Sequence, residues 1–499
     1  MKKTPWSVRL ITGSGRIFAF PAMGLIALMM SGCTVGPNYQ RPEASTIPEA
    51  YTGVSDEWKV AVPQAHLPKG DWWEIFGDTE LNRLETEATE ANQDLKAAFA
   101  RFNQARAVAD VARSSIFPRL SASFYPVEQH DSENRPVGGK PGKTYDTFIL
   151  PFDLSYEFDL WGRVRRTVES ATAQVQAVAD DVESARLAIQ ADVAVNYYTI
   201  RALDADKALL LSSIEVYRKS LALVRNRRAG GIVSDLDVAQ AETILKTTEA
   251  QLPDNALQRA RSEHALAILT GKNPSLFRLA ERPLALDPLV VPTGLPSELL
   301  ERRPDVAAAE RRMAAANANI GVATAAFFPT IKFSGQAGFW SGDLTASGNM
   351  STLLSWPSRF WAVGPSLTVP LFQGGQLSAN LRQAKAAYEE TVARYRQTVL
   401  TAFGDVENNL AAEHLLARQY EEVLAALKAA RRQLEVANNR YEAGLATYLE
   451  VAIAQNITLG IERSGMRLRG QQLAAAVALI KSLGGGWQGT ESSDGEREP

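Results

Sequence analysis

The sequence predicts a mainly α-helical, internally duplicated protein that also contains a few membrane-type β-strands. Two proline-free stretches of similar length, 162–228 and 376–441, have helical character throughout. Sequence anchors recur between the two halves of the chain at a nearly constant offset. Each half also contains segments in which apolar and polar residues alternate, as they do in β-strands. Each half is therefore predicted to contain, in order, a helix, two strands, a long helix, a tight turn and a further helix.

The first long stretch has an apolar residue at almost every seventh position. Only Asn196 interrupts this stripe, which consists of Val168, Val175, Val182, Ile189, Leu203, Leu210, Tyr217 and Val224. A seven-residue repeat is typical of supercoiled helices. At 1.5 Å per residue the helix would be roughly 100 Å long, too long for an ordinary globular core to cover. It needs helices of similar length beside it, and the second stretch supplies one.

The duplication is visible in several anchors. Ile116-Phe117-Pro118 recurs as Phe327-Phe328-Pro329, 211 residues later. After an extra glycine at 374–375 the offset becomes 213, which relates Asn226-Arg227 to Asn439-Arg440, Gly231 to Gly444 and Leu236 to Leu449. Anchors at one offset indicate a repeat. We assign 71–270 to the first repeat, 271–303 to a proline-rich connector, 304–484 to the second repeat and 485–499 to a disordered tail.

The first 32 residues read as a signal peptide, in which basic residues precede an apolar run, 17–30. Met30-Ser31-Gly32-Cys33 then resembles a bacterial lipobox, whose cysteine is lipidated and becomes the mature N-terminus. A buried cysteine in a signal anchor is the alternative. Cys33 is the only cysteine, which excludes disulfides and thiolate metal sites.

Residue 34 predicts where a lipidated chain goes. Lipoproteins retained at the inner membrane commonly carry Asp after the cysteine, whereas this chain has Thr34. That resemblance implies the outer membrane. The following segment, 33–70, is rich in proline and reads as an extended arm.

Composition limits the remaining possibilities. A net charge of −3 and 45% hydrophobic residues argue against disorder and against a nucleic-acid partner. After the signal peptide there is no apolar run of about 18 residues, so a part that crosses a membrane must be a β-barrel.

Four segments have strand character, at about 120–127, 148–160, 331–339 and 361–369. In the second, Phe148, Phe152 and Phe158 share one face, and Asp153 and Glu157 lie on the other. An apolar face toward lipid and an acidic face toward water suit a barrel, although a half-buried sandwich strand is the alternative. Because about eight strands are needed to close a barrel, several chains must contribute, and three chains would supply twelve strands.

Individual aromatic residues and prolines predict where the other helices begin, end or bend. Trp72, Trp73 and Phe76 open a short helix, and a longer helix is predicted from about 87 to 116, where Pro118 ends it. Pro253 lies inside an otherwise helical stretch and predicts a kink.

These residues resemble a known family, the TolC-type outer-membrane factors, and in particular the lipoprotein (NodT-like) branch that serves resistance–nodulation–division efflux systems. The segments that carry the resemblance are Cys33-Thr34-Val35-Gly36-Pro37-Asn38-Tyr39, Trp72-Trp73, Phe158-Asp159-Leu160-Trp161-Gly162-Arg163, Gly231 with Ser234-Asp235-Leu236-Asp237, and Arg302-Arg303-Pro304-Asp305. The resemblance implies a homotrimer with a twelve-stranded outer-membrane β-barrel continuous with a long α-helical barrel in the periplasm. It further implies a passive conduit, joined by a periplasmic adaptor to an inner-membrane pump.

Nothing in the sequence indicates an enzyme or a cofactor other than the lipid on Cys33. The four histidines, His66, His130, His264 and His414, have no metal-ligand spacing and no nucleophile motif beside them. The basic pair Arg227-Arg228 reads as a helix-surface charge.

The predicted function is a channel subunit for export of toxic compounds across the outer membrane. Two alternatives remain open at this point. One is a conduit of the same fold for protein or polysaccharide export. The other is a structural lipoprotein that tethers the envelope and has no pore.

The turns that end the long helices are the candidate site. Their residues are Gly230, Gly231, Ser234, Asp235 and Asp237 in the first repeat, and Tyr441, Gly444, Thr447 and Glu450 in the second. Glycine allows a left-handed helix end, and Ser234 or Thr447 can cap the helix that follows.

The family resemblance implies that these turns form the periplasmic tip, which closes the pore and meets the adaptor. Family members hold the tip shut with polar links between hairpins, and Asp237 and Tyr441 occupy matching positions. The basic residue that some members have in the second turn is Ala446 here. An acid found in many members is Ile453, with Glu450 carrying the charge instead.

Overall fold

The computed structural model describes residues 34–41, 71–134, 142–283, 303–342 and 348–485. Cys33, His66, most of the arm, residues 284–302 of the connector and the tail beyond 485 lie outside the described residues. The helices are α1 (Thr79–Ala91), α2 (Gln93–Ser114), α3 (Arg163–Ala229), α4 (Asp235–Glu249), α5 (Gln251–Leu269), α6 (Pro304–Ala325), α7 (Met350–Leu353), α8 (Gln376–Glu442) and α9 (Tyr448–Ser482). The strands are β1 (Arg119–Ala122), β2 (Tyr125–His130), β3 (Thr144–Phe158), β4 (Thr330–Ser341) and β5 (Arg359–Thr368), and two 3-10 helices span Trp72–Phe76 and Trp356–Ser358.

The two long helices are confirmed. α3 and α8 contain 67 residues each. The start of α3 explains why β3 ends at Phe158, two residues earlier than predicted. The carboxylate of Asp159 accepts the N–H groups of Val164 and Arg165 at 3.0 and 2.9 Å, so Asp159 serves the first turn of the helix instead of extending the strand.

The first predicted strand is interrupted. β1 and β2 both pair with β3 in one continuous register, but no ladder pairs are formed at residues 123 and 124. The interruption lies opposite Pro151, which has no N–H group to donate to the ladder. Ser123 still donates its N–H to the Pro151 carbonyl over 3.1 Å. The four predicted strands are therefore present, with the first divided into two short segments.

The strands form one antiparallel sheet in the order β1-β3-β4-β5, with β2 beside β3 on the same edge as β1. The register confirms the predicted faces. Directly paired residues share a face, and one face carries Leu120, Phe152, Leu154, Tyr156, Phe158, Ile331, Phe333, Phe339, Trp361, Val363 and Leu367. The opposite face carries Asp153 and Gln336, whose side chains are hydrogen-bonded over 2.7 Å, together with Glu157 and Lys332.

Two predicted helices are each divided by one residue. The helix expected over 87–116 is interrupted at Asn92, whose side chain accepts the Leu95 N–H and donates to the Leu269 carbonyl. This local capping ends α1 and begins α2. The kink predicted at Pro253 is confirmed as the break between α4 and α5 at Ala250. The position matching Pro253 in the second repeat is Met466, and α9 is continuous there.

The chain forms two compact units, and each draws on both repeats. Of the residues that the structure describes, one unit contains those within 1–41, 105–175 and 311–392 and holds the sheet; the other contains those within 42–104, 176–310 and 393–499. The core of the second unit includes Leu81 and Leu84 of α1, Tyr197 of α3 and Val477 of α9. Within the described ranges, no helix combines the length and apolarity required to cross a membrane.

The Arg302-Arg303-Pro304-Asp305 motif has a structural explanation within the second unit. The Arg303 guanidinium binds the Asp305 carboxylate at 2.7 Å and the Asp405 carboxylate of α8 at 3.1 Å, and it donates to the Ser482 carbonyl at the end of α9. One planar guanidinium therefore connects the start of α6, the middle of α8 and the end of α9, which a lysine ammonium cannot reproduce.

Candidate functional site: the hairpin tips

The two turns that end α3 and α8 have the same backbone geometry. Gly231 and Gly444 adopt φ of 78° and 75°, which strongly favours glycine. The residue after each glycine donates its N–H to a carbonyl five residues back, Ile232 to Arg227 over 2.9 Å and Leu445 to Arg440 over 2.8 Å. This is the Schellman arrangement, so the expected left-handed helix ends are confirmed at Gly231 and Gly444, while Gly230 stays outside the left-handed region.

The helices that follow the turns begin differently. At α4, the Ser234 hydroxyl accepts the Asp237 N–H, and the Asp237 carboxylate accepts the Ser234 N–H over 2.9 Å. This capping box confirms the role expected of Ser234. The same expectation is wrong for the Thr447 side chain, which makes no capping bond. The Glu450 N–H, which the hydroxyl would have accepted, donates to the Thr447 carbonyl instead.

A buried core joins four helices at the tip. It contains the predicted stripe residues Tyr217 and Val224 of α3, and its other buried members are Ile214, Leu221, Ala241, Leu245, Ala437, Tyr441, Tyr448, Val451, Ala452, Ala454 and Leu459. The apolar stripe of α3 therefore packs against the second hairpin, formed by α8 and α9, as well as against α4 of its own hairpin. The two hairpins of one chain are packed together along this core.

Polar bonds across the core also join the two hairpins. Arg227 of α3 donates to the carbonyls of Tyr441 and Glu442 at the end of α8, at 3.0 and 3.4 Å. Its guanidinium carbon lies 4.6 Å from the centroid of the Tyr441 ring, within cation–π range. Nearer the middle of the helices, the Tyr217 hydroxyl donates to the Gln455 carbonyl over 3.2 Å.

The sequence alone gave Arg227 the wrong environment. It was interpreted as a surface charge, yet its side chain caps the carboxyl end of the other long helix, where a cation is favourable. The usable signal was the duplication, because Arg227 matches Arg440 at the same distance before the turn glycine. Arg228 does lie at the surface, where it binds Asp235 at 2.7 Å and lowers the pKa of that carboxyl.

Asp237 and Tyr441 do not bond to each other in this chain. The Asp237 carboxylate is engaged in the capping box, and the Tyr441 hydroxyl is buried without a hydrogen-bond partner in the part of the chain that the structure describes. Glu450 lies 3.9 Å from Arg440. The basic group that contacts Tyr441 is thus Arg227 from the other hairpin, while position 446 holds alanine.

The outside of the tip is apolar and grooved. Ile232, Leu236, Leu445 and Leu449 are exposed large apolar residues, and the duplication relates the first pair to the second. Between α4 and α9 lies a groove of about 350 Å³, whose lining includes Leu236, Ala239, Thr243, Ala452, Ile453 and Asn456. Across the described ranges, no three His, Cys, Asp or Glu side chains gather into a possible metal site.

The segment after Cys33 is fixed beside the sheet. The Val35 N–H donates to the Trp161 carbonyl over 3.1 Å, and the Asn317 side chain donates to the Pro37 carbonyl over 3.0 Å. Thr34 lies so close to Gly162 that a Cβ on that glycine would be 2.7 Å from the Thr34 methyl group. The residue next to Cys33 is therefore held at the turn between β3 and α3.

Comparison with known proteins decides the family. The family model described as outer membrane efflux protein matches residues 84–272 and 295–485. The chain belongs to this family. The two matched blocks correspond to the two repeats, so the duplication and the resemblance to outer-membrane factors are both confirmed.

Individual members of the outer membrane efflux protein family match nearly the whole chain. Outer membrane protein OprJ of Pseudomonas aeruginosa is 33% identical over 479 residues, which are 94% of this chain and 96% of OprJ. Toluene efflux pump outer membrane protein TtgF of Pseudomonas putida is 32% identical over 485 residues, 94% of this chain and 97% of TtgF. The solved structure of the outer-membrane channel OprN superimposes with a TM-score of 0.82 at 31% identity, covering 91% of this chain and 100% of that one.

Proposed function

We infer that this chain is the outer-membrane channel subunit of a tripartite efflux pump, which provides a passive exit for small toxic compounds. The observation that carries this function is the sheet, because one side of it is apolar, as in membrane-spanning strands, and the other side is polar. The relatives' names support it, since one is an outer membrane component of a toluene efflux pump. We assign this chain no catalytic role.

The sheet of one chain supports a trimer. Among the described residues, β5 pairs only with β4, so one edge of the sheet has unpaired backbone groups. Unpaired edges are not stable in lipid. Three copies joined edge to edge would give twelve strands and satisfy every edge, with the apolar faces toward lipid and Asp153 and Glu157 toward the water-filled duct.

The hairpin tips support the contacts with the other pump components. Exposed apolar residues around a groove are typical of a docking surface, and we assign the groove between α4 and α9 to the periplasmic adaptor. We assign closure of the duct to the tips as well. The bonds of Arg227 to α8 support this role, because they resist separation of the two hairpins.

Lipid attached to Cys33 would complete the anchoring. Thr34 is held beside Gly162, at the end of the sheet where β3 passes into α3. A lipid on Cys33, the residue before Thr34, would reach the membrane from this position without requiring the arm, 33–70, to extend. An inner-membrane pump of the resistance–nodulation–division type is the proposed source of energy.

Reconstitution into planar bilayers tests this function. Purified protein should migrate as a trimer in detergent, show about 60% helix by circular dichroism, and produce discrete conductance steps. A non-conducting tether predicts no steps at any protein concentration. A stable monomer with more strand than helix would contradict the trimeric channel.

A further inference from the structure

The loop between β4 and β5 is anchored to the sheet where the described chain resumes at residue 348. The Gly348 N–H donates to the Asp146 carbonyl over 2.7 Å. The Ser341 hydroxyl donates to the Asn349 carbonyl over 2.9 Å. These bonds attach the described part of the loop, residues 348–358, to the ends of β3 and β4.

This loop presents large apolar side chains to solvent. Leu354 is 69% exposed and Trp356 is 72% exposed, and Met350 is exposed as well, whereas Leu353 is buried. The buried leucine holds α7 in place while its neighbours point outward. Ordered apolar residues grouped on one loop are typical of an interaction surface.

Arg359 adds a cation to this surface. Its guanidinium carbon lies 4.1 Å from the centroid of the Trp356 ring, and its Nη1 donates to the Trp356 carbonyl over 2.9 Å. Within the described ranges, no carboxylate forms an ion pair with it. The stacked guanidinium is thus oriented by the loop and keeps further N–H donors for an anion.

The position of Arg359 in the sheet indicates what the anion belongs to. Arg359 begins β5 and is paired with Phe339, so it lies on the same face as Trp361 and Val363. The helices α2, α3, α6 and α8 all connect to the other end of the sheet. Arg359 and Trp356 are therefore at the far end of the apolar face, at the level where tryptophan and basic residues meet lipid headgroups.

We propose that Trp356 and Arg359, with Leu354, form a binding site for a phosphorylated lipid of the outer leaflet. The guanidinium binds the headgroup phosphate, and the acyl chains lie along the apolar face past Trp361. Phosphate suits the site because arginine offers paired, charge-assisted donors to it. This site rests on the proposed function only in that the sheet must span the outer membrane with its helices in the periplasm.

Lipid binding to the purified, delipidated assembly tests the site. Native mass spectrometry would count bound diphosphorylated lipid A for the wild-type chain and for Arg359→Gln, Arg359→Lys and Trp356→Ser. We expect Arg359→Gln to weaken binding about tenfold, with smaller losses for the other two. The matched control is Arg119→Gln, an exposed arginine at the opposite end of the sheet, which should bind as wild type does.

Three outcomes would overturn the proposal. Equal binding of lipid A from which both phosphates have been removed would show that acyl chains alone are recognised. Competition by inorganic phosphate at similar concentration would indicate a free-anion site. Equal losses in Arg119→Gln and Arg359→Gln would indicate a general charge effect. Wild-type conductance of Arg359→Gln in planar bilayers would show that the channel function stands whatever the lipid result.

Discussion

At the scale of single residues, Glu85 is the most unusual group in the second compact unit. Its side chain is fully buried in α1, and neither carboxyl oxygen has a hydrogen-bond partner in the described structure. Burial raises the pKa of Glu85 to about 9, because the charged form loses its hydration. The folded chain therefore holds this carboxyl protonated at pH 7, whereas the unfolded chain releases the proton.

Glu85→Gln should stabilise the protein at neutral and alkaline pH. A raised pKa contributes stability that is complete below about pH 4.5 and is lost as pH rises toward 9. The cost for the wild-type chain at pH 7 is roughly 3 kcal/mol, and glutamine avoids it. Urea unfolding at pH 5 and pH 8, followed at 222 nm, should show a pH-dependent gap between wild type and Glu85→Gln. Glu90→Gln, an exposed acid on the same helix, should show none.

Arg227 is the residue whose substitution we expect to weaken closure of the duct most clearly. Its two hydrogen bonds to α8 are worth about 1 kcal/mol each, and the stacking on Tyr441 adds about 0.5–1 kcal/mol. Arg227→Ala should raise the open probability or the conductance of single channels in planar bilayers. Arg218→Ala removes an exposed arginine of the same helix and should leave the channel unchanged.

Asp237→Ala is a weaker test of the gate than Arg227→Ala, because Asp237 also caps α4. Tyr441→Phe keeps the ring on which Arg227 stacks and removes only a hydroxyl without a partner in the described chain, so this variant should conduct as wild type does. Glu450→Gln should lower the preference for cations if this acid lines the tip. Unchanged conductance in Arg227→Ala would remove Arg227 and its contact with Tyr441 from the gate.

At the scale of elements, the sheet depends on one close approach between β3 and β4. Gly338 faces Pro151, and a Cβ at position 338 would lie 2.1 Å from the Leu150 carbonyl oxygen. Real Cβ atoms do not approach an oxygen so closely, so any side chain forces the two strands apart. Pro151 thus interrupts the first strand on one side and requires glycine on the other.

Gly338→Ala should destabilise the sheet by about 1–3 kcal/mol or more through overpacking. The thermal midpoint of the detergent-solubilised protein should fall, and less trimer should be recovered. Gly335→Ala is the matched control on the same strand, because the atom nearest to the Cβ position there is a Val363 methyl carbon at 3.6 Å, an ordinary contact distance. Equal midpoints for the two variants would show that β3 and β4 can separate without cost.

At the scale of the whole molecule, the two compact units are each built from both repeats. Each repeat therefore contributes residues to both units, although each has the complete series of elements. Arg227 illustrates the interdependence, since this residue of the first repeat donates to the Tyr441 carbonyl of α8 in the second. Truncation after the first repeat would remove half of each unit.

Cys33→Ser tests the proposed anchor in the intact protein. We expect this variant to lose labelling by radioactive palmitate and to reach the outer membrane less efficiently, because the lipid directs sorting. The trimer should still conduct once it is purified and inserted into a bilayer, since the sheet itself spans the membrane. Absence of lipid on the wild-type chain would disprove the anchor and leave the channel function intact.

Features that depend on neighbours in the chain could be predicted from the residue pattern. The seven-residue stripe through Tyr217 and Val224 predicted a long packed helix, alternation around Phe152 predicted the faces of β3, and Gly231 and Gly444 predicted the helix ends. Each of these follows from local backbone geometry, so residues a few positions apart suffice to recognise it. The duplication then extended each conclusion to the other half.

Contacts between residues that are distant in the chain could not be predicted in this way. Arg227 and Arg228 are adjacent in sequence and look alike, yet one caps α8 and the other binds Asp235 at the surface. The partner of Arg303 on α8 lies 102 residues away, and the proline that divides the first strand lies on the strand beside it. Side-chain partners depend on how helices and strands pack together, and a local sequence pattern does not show which distant residues meet. The sequence was enough to recognise the turns of the candidate gate, but the contact of Arg227 with α8 and the proposed lipid site required the folded chain.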